Sequence, residues 1–288
     1  MRPDEILVVA LGMTANIAVL VIVALGLSVI FGMMRVINLA HGELIMLGAY
    51  TVLAVTRATG SIWLGMAAAP VVVALVGVAV ERLIIRFLYG RILDTMLATW
   101  GLSLVLVQGV TILFGPTTQG LATPLGNFSV GAFSASWYGL FLIVMAALLL
   151  AATHLVFKRT RYGLEARAAT QLPEMAAALG VDAARSHMIT FAFGAALAGT
   201  AGALIAPVTG VVPTIGLAFI ARAFMTVIVG GPAVLLGTTA AASLLGVFEN
   251  LVSYLATPFL GQGALLAVAI LILRVLPTGL SGGRQRGV

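Results

Sequence analysis

Four polar residues, Arg35, Asn38, His41 and Glu43, fall between two apolar runs in Phe31-Gly-Met-Met-Arg-Val-Ile-Asn-Leu-Ala-His-Gly-Glu43. A histidine two residues from a glutamate could serve as a proton-transfer pair. With no nucleophile and no third metal ligand beside it, a catalytic pair or a metal centre is a remote reading. Two others remain open. The segment is a solvated loop, or it is a break in a helix whose polar groups face a bundle interior or water. In the second case Asn38 can cap the following helix. Gly42 then relieves a close approach.

A second interruption is Val229-Gly-Gly-Pro-Ala233. Proline removes a donor and the glycine pair permits unusual backbone angles. Interrupted apolar segments in matching halves of a chain point to a transport pathway. Asn38, His41, Gly42 and Glu43 at the first break, and Gly230 and Gly231 at the second, are the candidate pathway residues. A weak echo links Val36–Gly48 with Val227–Gly237, each opening on Val-Ile and closing on Leu-Gly.

The longest charged connection is Lys158–Ser186. It accommodates a short helix over Gly163–Thr170 and another starting near Pro173. Proline suits a first helical position and Glu174 suits the first turn. Gly180 can end that helix in the left-handed conformation. So small an alanine-rich helix is unstable alone and requires a partner surface. The chain contains no Gly-x-x-x-x-Gly-Lys-Ser/Thr, no Gly-x-Ser-x-Gly and no His-Glu-x-x-His. It therefore has no phosphate-binding loop of its own.

The elements that must hold these groups are membrane helices. Of 288 residues, 61% are hydrophobic and 8% charged. Soluble domains carry about 25% charge. A soluble enzyme and a nucleic-acid-binding domain are excluded, and the net charge of +6 does not change that. With no cysteine, disulfides and thiolate metal sites are excluded.

Nine hydrophobic segments are expected: Ile6–Met33, Leu44–Val55, Ile62–Ile85, Thr95–Phe114, Trp137–Phe157, His187–Ala206, Leu217–Val229, Ala233–Leu255 and Ala264–Leu276. Leu44–Val55 and Leu217–Val229 are too short to cross about 30 Å of hydrocarbon. The fold expected is an all-α integral membrane protein, a polytopic bundle of about 8–9 transmembrane helices with short or broken helices near the midplane. The first segment is read as a retained helix, not a signal peptide. Small residues at four-residue spacing, as in Gly194/Ala198, Ala195/Gly199 and Ala198/Gly202, should form helix contacts.

Basic residues cluster in three places: Arg82, Arg86 and Arg91; Lys158, Arg159, Arg161, Arg167 and Arg185; Arg274, Arg284 and Arg286. The connections Gly115–Ser136, Pro207–Gly216 and Thr257–Gly263 carry no charge. The positive-inside rule then expects the basic groups and the C-terminus in the cytoplasm, with the N-terminus outside.

The run Gly26-Leu-Ser-Val-Ile-Phe-Gly-Met-Met-Arg-Val-Ile-Asn-Leu-Ala-His-Gly-Glu43, followed by Leu47-Gly-Ala-Tyr50, resembles the signature of permease subunits of branched-chain (hydrophobic) amino acid ABC transporters. Thr99-Trp-Gly-Leu-Ser103, Gly163–Gly180 and Phe191–Gly202 are similar too. Glu174-Met-Ala-Ala-Ala-Leu-Gly180 resembles the ABC coupling motif, Glu-Ala-Ala, three residues, then Gly. Glu174, Ala176 and Gly180 match, whereas Met175 replaces the first alanine. The Ile-x-Leu-Pro that follows in many importers is not found.

The resemblance implies one permease domain over residues 1–288, with residues 158–186 as its cytoplasmic coupling loop. Pro173, Glu174, Ala176, Ala177 and Gly180 would engage an ATPase. It implies a second homologous permease, two ABC ATPase subunits that hold ATP and Mg, and a periplasmic or extracellular solute-binding protein. The setting would be a bacterial inner membrane. This chain would hold no cofactor and no metal, bind no nucleic acid, and catalyse no reaction itself. The cargo would be branched-chain or other hydrophobic amino acids, with urea, amides or aromatic acids as alternatives. An ATP-independent secondary transporter or channel is the rival reading.

Overall fold

A computed structural model describes residues 3–282. Arg284 and Arg286, assigned above to the C-terminal basic cluster, lie outside the described residues. Eleven helices dominate: α1 Pro3–Met34, α2 His41–Thr59, α3 Ile62–Leu83, α4 Ile92–Phe114, α5 Trp137–Arg159, α6 Arg161–Gln171, α7 Pro173–Ala178, α8 Ala183–Thr209, α9 Ile215–Gly230, α10 Val234–Leu255 and α11 Pro258–Val275. Seven of them are long and apolar enough to cross a membrane: α1, α3, α4, α5, α8, α10 and α11. The protein is an all-α polytopic membrane protein. Helices satisfy their own backbone donors and acceptors, which lipid cannot do. The two segments expected to be too short, now α2 and α9, are the apolar runs missing from the seven.

Three boundaries differ from expectation. The Thr257–Gly263 connection is mostly helix. Pro258 occupies the first turn of α11 and the Thr257 side chain accepts from the Leu260 N–H, so the helix starts before the glycines. Helix α8 continues through Pro207 to Thr209 and begins at Ala183, capped by Asp182. The Gly115–Ser136 connection contains a hairpin, β1 Asn127–Val130 paired antiparallel with β2 Phe133–Ser136. Gly131 takes φ 59° at the first central position of its turn, as tight hairpins favour.

The chain divides into two compact units. One comprises Leu25–Leu121 and Leu149–Ile220. Its centre is α8, which packs on α2 and α3. The small-residue faces make this possible. A Cβ on Gly202 would run into the Ile45 carbonyl, one on Gly48 into the Gly199 carbonyl, and one on Gly194 into Ile30. Backbones thus approach closely where lipid supplies no hydrophobic drive.

The other unit comprises the chain up to Ala24, Ala122–Leu148 and the chain from Ala221. Here α10 and α11 pair, with Gly261 set against Ser253 and the Glu249 carbonyl.

Candidate functional site

Helix α1 ends at Met34, and Arg35 turns the chain with φ 52°, its N–H bonded to the Phe31 carbonyl at 2.9 Å. Residues 36–40 are not helical. The Asn38 Oδ1 accepts from the Ala40 N–H at 3.0 Å, and the His41 N–H reaches the Asn38 carbonyl at 3.2 Å. Asn38 therefore shapes the turn instead of capping α2. The cap position is Ala40, which offers no side-chain acceptor. The Leu39 N–H is satisfied from α4, by Thr99 Oγ1 at 3.1 Å.

The solvated-loop reading holds for Arg35, which is exposed, and fails for the other three: Asn38 and His41 are 0% exposed and Glu43 is 1% exposed. Gly42 lies against Gly216, and a Cβ on either would strike the other's backbone. His41 sits beside Gly26 of α1, its Cε1 3.2 Å from where a Gly26 Cβ would stand. Ser103 of α4 interacts with the Glu43 carboxylate, yet neither carboxylate oxygen gains a hydrogen bond of full geometry. The Asn38 Nδ2 and the Tyr50 hydroxyl also lack partners.

Helix α4 is inverted relative to a soluble amphipathic helix. Its buried positions are Thr95, Thr99, Ser103 and Val110, while Leu93, Leu97, Val105, Ile112 and Leu113 are exposed. Four-residue spacing aligns Thr95, Thr99 and Ser103 on one face. In the sequence Thr99 and Ser103 stand out only as ends of the Thr99–Ser103 run; the four-residue spacing that adds Thr95 is the signal of the stripe. Among the described residues no group of three or more His, Asp or Glu could hold a metal ion.

The second break belongs to the other unit and is closed differently. Helix α9 ends at Gly230, Gly231 takes φ 78°, and α10 starts at Val234. Ser281 Oγ donates to the Gly230 carbonyl at 2.6 Å and accepts from the Ala233 N–H at 3.0 Å. The Leu280 N–H reaches the Val229 carbonyl at 2.8 Å. Close by in that unit, Arg222 and Glu249 form an ion pair at 3.1 Å. Asn16 donates to Asn250 Oδ1 at 2.7 Å.

The charged connection folds as the residues suggested, into α6 and α7. Thr160 caps α6, its Oγ1 accepting from Gly163 N–H at 3.1 Å. Two bonds tie α6 to its own unit. Thr170 donates to the Met33 carbonyl at 2.6 Å, and the Tyr162 and Thr190 hydroxyls share a hydrogen bond of 2.6 Å. Burial pushes the Tyr162 phenol above its ordinary pKa, with the Thr190 bond opposing.

Pro173 opens α7, and Glu174 lies exposed in its first turn. Gly180 ends it at φ 85° in a Schellman arrangement: Val181 N–H to the Ala176 carbonyl and Gly180 N–H to the Ala177 carbonyl, each 3.0 Å. Ala176 is the buried residue of α7, whereas Ala177 faces outward. Leu172, Met175 and Leu179 are all exposed, at i, i+3 and i+7. That apolar row was not singled out from the sequence, because the glutamate–glycine motif drew attention to other positions.

A polytopic helical membrane protein with two broken segments and an anchored, exposed short helix is a transport permease in form. The family described as "Branched-chain amino acid transport system / permease component" matches residues 9–275, and the chain belongs to it. It is 31% identical over 279 residues to the high-affinity branched-chain amino acid transport system permease protein LivH of Salmonella typhimurium, covering 91% of this chain and 90% of that one. It is 28% identical to the probable branched-chain amino acid transport permease protein LivH of Methanocaldococcus jannaschii, over 91% and 88%. To BraD of Pseudomonas aeruginosa, also a high-affinity branched-chain amino acid transport system permease protein, it is 29% identical over 91% of each chain. No solved structure matches the chain.

Proposed function

We propose that this permease is the membrane-spanning part of an ATP-driven importer for branched-chain or other hydrophobic amino acids. A solute-binding protein delivers the cargo, a second permease completes the pore, and two ATPase subunits carrying ATP and Mg drive it. The observation that carries the coupling role is the exposed row Leu172, Met175 and Leu179 on a helix otherwise held in place by Ala176 and Gly180. Such a row needs a protein surface, and the chain has no nucleotide-binding loop of its own.

In this reading Pro173, Glu174, Ala176, Ala177 and Gly180 form the coupling element within residues 158–186 of one permease domain. The protein sits in the bacterial inner membrane with the N-terminus outside and the C-terminus in the cytoplasm, following its basic residues. Asn38, His41, Gly42 and Glu43 flank the pathway, as do Gly230 and Gly231. The buried groups of the first break support a passing polar ligand more directly than the closed second break does. Urea, amides and aromatic acids are the alternative cargo.

One observation favours a second reading. The buried Glu43 beside His41 is the kind of group a proton-coupled secondary transporter needs. The test is reconstitution in vesicles. The import reading expects uptake only with ATPases, binding protein and ATP. It also expects Gly180→Trp to leave ATP hydrolysis running while uptake is lost. Uphill uptake by the chain alone, or normal uptake by Gly180→Trp, would overturn it.

A further inference from the structure

Where α3 gives way to a short 3-10 turn, Ile85–Phe87, Arg82 and Arg86 meet Arg185 from the first turn of α8. With Glu81, Asp182, Ala184 and Met188 they line an open pocket of about 310 Å³. Both acids are already engaged. Glu81 is buried and accepts from the Tyr89 hydroxyl at 2.6 Å. Asp182 caps α8, accepting from the Arg185 backbone N–H at 3.0 Å.

The three guanidiniums are exposed, and among the described residues none has a carboxylate at ion-pair distance. Arg82 Nε donates to the Met188 sulfur at 3.1 Å, a weak acceptor, and Arg86 lies 5.6 Å from the Phe87 ring centroid. Three forked donors thus face one pocket with their anion-binding capacity unused. Guanidinium forks match phosphate oxygens in pairs.

Exposed apolar residues lead along α3 to the arginines: Val71, Leu75 and Leu83 are 60%, 66% and 74% exposed, and Phe87 of the 3-10 turn is 69% exposed. They end level with Arg82 and Arg86 in the chain. Inorganic phosphate would use the arginines and ignore these residues, and an acidic protein segment has no need of them. A phosphate joined to a long hydrocarbon chain uses both. We propose that this corner of α3 and α8 is a binding site for an anionic phospholipid. The phosphate sits among Arg82, Arg86 and Arg185, and an acyl chain lies along Val71, Leu75 and Leu83. Basic pockets at helix ends recognise lipid headgroups in this way.

The test uses the full chain in phosphatidylcholine vesicles, with spin-labelled phosphatidylglycerol and phosphatidylcholine compared as probes. The wild type should hold the anionic probe about a hundredfold more tightly, the combined worth of three such basic groups. Arg82→Gln, Arg86→Gln and Arg185→Gln should each lower that preference about fivefold, as expected for one basic group near a lipid surface. Arg86→Lys should keep most of it. Arg91→Gln should change nothing, because Arg91 already pairs with Asp94. Leu83→Gln should weaken retention without any change in charge.

Undiminished preference in the triple variant would overturn the site. So would an equal loss in Arg91→Gln, or displacement of the probe by inorganic phosphate. Loss of a copurifying partner protein from the triple variant, with lipid preference intact, would give the corner to that partner instead. None of these readouts depends on the cargo or on ATP.

Discussion

The two helix breaks solve one problem in opposite ways. At Gly231–Ala233 the groups at the gap itself are taken up: Ser281 bonds both sides of it, and the Leu280 N–H takes the Val229 carbonyl. That unit also holds the ion pair of Arg222 with Glu249. At Arg35–Ala40 the backbone is equally well served, by Asn38 and Thr99. The side chains are not, since Asn38 Nδ2 and both Glu43 oxygens are buried without a hydrogen bond of full geometry. A buried polar group left short of partners costs about 1–3 kcal/mol, and more if charged. The second break is closed by the chain's own groups, whereas the first keeps buried polar atoms without full partners, as its proposed place beside the pathway requires.

The contrast is sharpest between Glu43, at the first break, and Glu249, in the unit of the second, where the same substitution should act with opposite signs. Glu249→Gln leaves the partly buried Arg222 unpaired, and should destabilise by about 1–2 kcal/mol, between the exposed and fully buried cases. Adding Arg222→Met should recover most of that loss in thermal unfolding of the purified protein. Glu43→Gln removes a carboxylate that lacks a full partner, and should stabilise by about 1–2 kcal/mol. Uptake should nevertheless fall roughly tenfold, the worth of one good polar contact. If both variants lose stability alike, Glu43 is paired as Glu249 is, and the contrast between the breaks disappears.

A smaller effect belongs to the second break itself. Ser281→Ala should cost about 1 kcal/mol, because it strands the Ala233 N–H, whereas the Gly230 carbonyl keeps the Ser281 backbone N–H at 3.3 Å. Proteolysis or hydrogen exchange should locate the loosening at residues 230–233. Uptake should change less than in Glu43→Gln, since the Ser281 hydroxyl serves the scaffold.

The sequence made the helices legible because lipid leaves few alternatives: an apolar run of about 20 residues must bond to itself. The glycine contacts of α8 were legible for a similar reason, since small residues at four-residue spacing have one use in a bundle. The start of α11 was missed because glycines at 261 and 263 look like a connection. Their real setting, Gly261 against Ser253 on α10, is a tertiary contact. Ser281 was invisible as the closure of the second break because it lies some 50 residues along the chain from Gly230. The depth of Glu43 was undecided too. A charge beside an apolar run reads the same whether it faces water or is buried near Ser103 of α4.

The least perturbing substitution tests the remaining asymmetry, that between the two faces of α7. Ala176 points inward, and Leu179 is 80% exposed. Leu179→Ser should move stability by less than about 0.5 kcal/mol, as surface changes do. Leu179 follows the helix end, and the stop at Gly180 depends on backbone bonds that serine leaves intact. If the row Leu172–Met175–Leu179 is where an ATPase grips, Leu179→Ser should separate hydrolysis from uptake in the reconstituted complex. Enlarging Ala176 to leucine should instead displace the helix and reduce stability along with coupling. Equal loss of stability in both variants would mean that the outer face of α7 is covered by the protein's own chain, and the row would no longer argue for a motor bound there.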